Sequence, residues 1–306
     1  MKKLLLFILQ FTISSLCFSK EIKLPFICNE KGLILMAFSD NEYQYNFILD
    51  TATTDNVLFQ TGYSKLSKSL GIDIKASVLE YVAGENPGLS EIEIKEITQN
   101  YINSGGISFS LSELKNGDFC SSESSFSYNP SIDSSIDNLK LDGMINLAFF
   151  GDAENIVIDY KQKVLIINSK KKLKYSVHLQ RYDILNLYGI DVFIDDVKQQ
   201  ALIDTGASCF FLREQYELTS RINEDDLLVL LEQNEIFDDN EEQIKNVKLQ
   251  IGKYKTKITA IYPNINNYDA TDPAKQIVRK INLLGYEVFK NHKIQFDFDN
   301  MEFRIE

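Results

Sequence analysis

The sequence predicts a mostly β chain made of two similar halves. Three observations point there. Strand-forming residues are plentiful, with 15 Tyr, 20 Phe and many Ile and Val. The order strand, tight turn, strand, acid occurs twice along the chain. Helical periodicity is scarce, limited to short stretches at Gly143–Phe150, Asp225–Asn234 and Gly285–Asn291.

The elements follow in order. In the first half Leu33–Phe38 reads as an apolar strand, and Ser39-Asp40-Asn41-Glu42 as a turn. A second strand, Tyr45–Leu49, then delivers Asp50. In the second half Ile190–Ile194 alternates, Asp195-Asp196 turns, and Gln199–Ile203 delivers Asp204. The later parts match as well. Leu141–Leu147 precedes strands at Ile156–Tyr160 and Val164–Ile167, as Leu283–Phe289 precedes Ile294–Phe298 and Glu302–Ile305. From acid to glycine the spacing is 143 − 50 = 93 residues in the first half and 285 − 204 = 81 in the second. A lysine run at Lys170–Lys174 interrupts the apolar pattern and reads as the join, giving expected lobes of 20–170 and 171–306.

Composition limits the partners. At 306 residues, 44% apolar and 25% charged, the chain is long enough for two domains of ordinary globular character. Its net charge of −12 excludes nucleic acid or an anionic membrane as the main partner. Lys2, Lys3 and the apolar run Leu4–Ile13 read as an export signal, residues 1–19, with cleavage after Cys17-Phe18-Ser19. The run is too short for a stable membrane anchor, and Leu16 argues against lipid attachment at Cys17. An exported protein, periplasmic or secreted, without a membrane anchor is expected.

Export permits a Cys28–Cys120 disulfide, though two free thiols fit equally well, and Cys209 reads as a small buried residue. His178 and His292 lack metal-ligand spacing, so no metal and no cofactor are expected.

Both acids end apolar strands, where a lone carboxylate is costly to bury. They lie in Phe47-Ile48-Leu49-Asp50-Thr51-Ala52-Thr53-Thr54 and Ala201-Leu202-Ile203-Asp204-Thr205-Gly206-Ala207-Ser208. The second stretch, with Leu283-Leu284-Gly285 downstream, resembles the active-site pattern of pepsin-like and retroviral-type aspartic proteases. The first is a weaker copy, with Ala52 where glycine is commoner. The resemblance implies a two-lobed pepsin-like β-barrel fold, two retropepsin-like halves related by pseudo-twofold symmetry in one monomeric chain. It implies an aspartic endopeptidase acting on peptide or protein substrates, with Asp50 and Asp204 as the catalytic pair. Two close carboxyls share one proton; the charged one activates a water and the protonated one donates to the substrate carbonyl. Thr51 and Thr205 would bond across the pseudo-twofold axis, and Gly206 would let the backbone approach its partner. The Thr53 hydroxyl would bond Asp50 and favour its charged form, with Ala207 offering no counterpart.

The family covers its cleft with a hairpin flap. Val78–Ile94 is the candidate, with Tyr81 over the cleft and Gly84 beginning the tip; Ser104-Gly105-Gly106 is a rival tip. Glu224–Glu242 is strongly acidic and reads as a solvated face or a lip for basic peptides, and Ser121–Ser135 as a loop. Too few residues separate the signal from Leu33 for an inhibitory prosegment, so activity without N-terminal processing is expected. The alternative is a non-catalytic peptide-binding protein on the same fold.

Overall fold

The computed structural model describes residues 20–71, 73–103, 108–129, 135–136, 139–182, 186–212, 243–262 and 282–306. The expectations for residues 1–19, the rival tip at Ser104–Gly106, the helix at Asp225–Asn234 and the acidic segment Glu224–Glu242 lie outside these. Among the described residues no helix is long and apolar enough to cross a membrane.

Strand outweighs helix in the described chain. The first lobe is a seven-stranded sheet with strand order Ile27–Cys28, Ile34–Ser39, Gln44–Leu49, Gly143–Ile145, Val57–Leu58, Phe119–Tyr128 and Ser108–Asn116. The last strand returns to Ile34–Ser39 through Ser39 and Lys115, curling the sheet into a partial barrel. The second lobe repeats this order with Leu187–Ile194, Val197–Ile203, Asn282–Leu284, Phe210–Phe211, Tyr254–Tyr262 and Gln243–Ile251, and again closes on its first strand. In both lobes the acid-bearing strand pairs antiparallel with the strand before it and parallel with a short strand from far downstream. A parallel insert demands a long crossover. The partner strands accordingly begin far downstream, 143 − 50 = 93 residues after Asp50 and 282 − 204 = 78 after Asp204.

A floor of six antiparallel strands joins the lobes. It runs Ile22–Pro25, Val164–Ile167, Asn155–Asp159, then Lys293–Asp297, Glu302–Ile305 and Tyr175–Tyr182. The central pairing, Asn155–Asp159 with Lys293–Asp297, crosses between the halves and carries an ion pair from Lys293 to buried Asp159 at 2.7 Å. Phe38, Phe47, Phe126 and Phe149 pack the first lobe; Phe289, Phe296 and Phe303 pack the second and the floor beneath it. Cys28, Cys120 and Cys209 form no disulfide, and Cys209 is partly rather than fully buried.

Three expectations need correction. The segment expected as a flap hairpin, Val78–Ile94, falls on two helices, α2 Ile74–Glu85 and α3 Glu91–Asn103, which follow α1 Gln60–Leu70. Val78 and Val82, one helical turn apart on α2, face the core. Gly71, at φ 62°, ends α1, and Asp73 caps α2 by accepting from the amide of Ala76 at 3.1 Å. Ser90 and Glu93 form a reciprocal capping box at the start of α3. Ser121–Ser135 is not a loop at its start, because Phe119–Tyr128 is a strand paired with Ser108–Asn116, its Phe126 and Tyr128 turned inward. Finally, the downstream segments align differently in the two halves. Asp50 donates its amide to Ile145 and Asp204 to Leu284, so Asn146, not Gly143, stands opposite Gly285. The matched spacing in the first half is therefore 146 − 50 = 96 residues.

Candidate active site

Each acid leaves its strand into a tight turn, and the two turns meet. The Thr51 hydroxyl donates to the carbonyl of Ile203 at 2.6 Å and accepts from the amide of Thr205 at 3.1 Å. The Thr205 hydroxyl mirrors this, donating to Leu49 at 2.8 Å and accepting from Thr51 at 3.1 Å. Both threonines are essentially solvent-inaccessible, at 1% and 0% exposure. Each hydroxyl uses one donor and one acceptor position, so four hydrogen bonds cross between the lobes with no polar atom of the two hydroxyls left over.

This lock brings the carboxyls of Asp50 and Asp204 into hydrogen-bond contact. Both acids are partly exposed to solvent. The amide of Ala52 donates to Asp50 Oδ1 at 2.8 Å, and the Thr53 amide also faces that carboxylate. Asp204 Oδ1 accepts from Gly206 at 2.8 Å and Ala207 at 3.0 Å. Ala52 thus makes the same bond as Gly206. A Cβ on Gly206, however, would collide with the Asp50 carboxylate, so the second turn needs glycine for space. Burial raises both carboxyls above their ordinary range. Asp204 is pushed up to about 8, by burial first and then by the charge on Asp50. The backbone amides oppose this at both sites but do not overcome it. The pair can hold one proton between its two carboxyls well above the pH at which a solvated aspartic acid ionises.

The structure therefore gathers Asp50, Thr51, Thr205, Gly206 and Asp204 into one cluster. Thr53 is adjacent, but its hydroxyl donates to the carbonyl of Asp55 at 3.2 Å and not to Asp50. Its main-chain amide takes the place expected of its side chain. Tyr81 and Gly84 lie on α2; Tyr81 is 60% exposed and Gly84 has open space around it. Neither stands at a hairpin tip. Asn146 stands where the second lobe has Gly285. Its position, one residue after the acid-facing carbonyl of Ile145, follows from the strand register alone.

No protein-family model matches the sequence, and no curated protein matches it. Among solved structures, the chain is similar to the crystal structure of an aspartic proteinase from Irpex lacteus. The similarity covers 94% of this chain and 97% of that one, at 9% identity and a TM-score of 0.49. The mostly β architecture of two similar lobes described above rests on strand order and register.

Proposed function

We propose that this chain is an aspartic endopeptidase whose catalytic pair is Asp50 and Asp204. The observation that carries the reading is the reciprocal Thr51–Thr205 lock, which holds two strand-terminal carboxyls in contact. The resting pair has Asp204 protonated and donating to charged Asp50, in line with the upward push on Asp204.

A water between the carboxyls loses a proton to Asp50 as its oxygen bonds the peptide carbon, and Asp204 gives its proton to the carbonyl oxygen. In the second step Asp50 passes its proton to the leaving nitrogen, the C–N bond breaks, and a hydroxyl of the intermediate returns a proton to Asp204. Both acids finish as they began. The reaction needs no covalent intermediate. Within this reading the chain is an exported monomer, periplasmic or secreted, with lobes at 20–170 and 171–306 acting on peptide or protein substrates.

The test is cleavage of a denatured protein at acid pH, with and without a statine-type inhibitor that mimics the tetrahedral intermediate. Inhibitable cleavage is expected. Peptide binding without cleavage at any pH would replace this reading with a binding function on the same fold.

A further inference from the structure

In the second lobe the main chain itself holds the acid turn from behind. The amide of Tyr286 donates to the carbonyl of Ala207 at 2.8 Å, and that of Glu287 to Ser208 at 3.3 Å. These carbonyls lie three and four residues after Asp204. Gly285, immediately before the two donors, has φ −97° and ψ −166°. A Cβ there would fall 2.6 Å from the Ala207 carbonyl oxygen, so no side chain fits.

The first lobe solves the same problem differently. Asn146 occupies the matching position with nearly the same backbone, φ −101° and ψ −175°. The carbonyls three and four residues after Asp50 belong to Thr53 and Thr54. They accept from the side-chain Nδ2 of Asn146, at 3.3 and 3.0 Å. The Oδ1 of Asn146 accepts from the amide of Ala148 at 3.0 Å, and its own amide donates to Asn56 Oδ1 at 3.0 Å. At 1% exposure, the side chain is buried with both of its polar atoms engaged. Thr53, held through its carbonyl, turns its amide toward the Asp50 carboxylate.

We propose that Asn146 is a positioning residue for Asp50: its side-chain amide replaces the two main-chain donors of the other lobe and fixes the turn that aims the Thr53 amide at the carboxylate. This rests on the dyad reading above. A simpler role, capping the short turn Leu147–Phe150 through Ala148, would need only Oδ1. The two roles separate in Asn146→Asp, which keeps an oxygen for the cap but loses both donors.

The experiment compares kcat, KM and the pH profile of peptide cleavage for the wild type, Asn146→Asp and Asn146→Gly, with melting curves at each assay pH. Losing one or two buried donors of this kind corresponds to roughly a 10- to 100-fold fall in kcat, with KM nearly unchanged. In Asn146→Asp the loss deepens as pH rises, because an ionised carboxylate then faces two carbonyls. It partly recovers in acid, where the protonated carboxyl can donate one bond. The acid limb moves to higher pH, since Asp50 loses an amide that favours its charged form. Asn146→Gly shows the kcat loss without the acid recovery, and it carries the comparison if Asn146→Asp melts below the assay temperature. Wild-type kcat and an unmoved acid limb in Asn146→Asp would reduce Asn146 to a cap and overturn the proposal. A wild type that cleaves nothing overturns the dyad reading and this role with it, so the two failures are distinguishable.

Discussion

Replacing Thr205 with valine keeps the shape of the side chain and removes its hydroxyl, which makes it a clean probe of the lock. Two hydrogen bonds disappear: the one donated to Leu49 at 2.8 Å and the one accepted from Thr51 at 3.1 Å. Their partners, the Leu49 carbonyl and the Thr51 amide, stay in a contact from which water is excluded. Leaving each unsatisfied costs about 1–3 kcal/mol, so Thr205→Val should lose about 2–6 kcal/mol. With no cavity created, little else should contribute. Melting followed by circular dichroism should show a drop of roughly 3–9 °C at this chain size. The carboxyl pair should also loosen, and a misplacement of about 1 Å is enough to lower the rate of the proposed cleavage ~100-fold. Thr205→Ser restores the hydroxyl and should recover most of both losses. In the double variant with Thr51→Val, the second substitution should cost less than the first, because the contact it breaks has already been opened. A Thr205→Val protein within ~0.5 kcal/mol of the wild type, the scale of an ordinary surface substitution, and equally active would refute the reasoning.

Other outcomes follow from the same geometry. The proposed cleavage requires a singly protonated pair, so the rate should fall on the alkaline side near pH 8 as the last proton leaves, and on the acid side as Asp50 gains one. Both folded-state pKa values are raised, so the folded chain keeps a proton that the unfolded chain has released; the pair's contribution to stability therefore declines from about pH 4 up to about pH 8. Asp204→Asn should flatten that decline in a series of melting curves. Gly206→Ala should abolish most cleavage, because its Cβ would strike the Asp50 carboxylate, while Ala52→Gly should retain it. Thr53→Ala should leave the acid limb where it is, since the hydroxyl bonds the Asp55 carbonyl; a shifted limb would restore the hydroxyl role expected from the sequence.

How much of this is legible in the sequence depends on the range of the interaction. The acid turns are local patterns, an apolar strand feeding Asp-Thr and small residues, and the repeat of flanking strands locates both halves. The helices α1 to α3 are less visible because their apolar faces are narrow: Leu66 on α1, then Val78 and Val82 on α2. Their caps, Asp73 and the Ser90–Glu93 box, are the local signals that mark them. Gly143 draws the eye as the counterpart of Gly285, yet the register puts Asn146 there. No spacing rule could supply that, because the bonds made by the Tyr286 and Glu287 amides in the second lobe are made by the Asn146 side chain in the first. The mutual reach of Thr51 and Thr205 depends on two turns that lie 154 residues apart in sequence.

The central claim is that Asp50 and Asp204 act as one proton-sharing pair. The most direct measurement is kcat/KM for peptide cleavage by Asp50→Asn and Asp204→Asn, each confirmed as folded by its melting curve. Because each acid is required in a different protonation state, both variants should fall by at least about a thousandfold, and a mixture of the two should recover nothing. Cleavage surviving at near wild-type level in either variant would contradict the account.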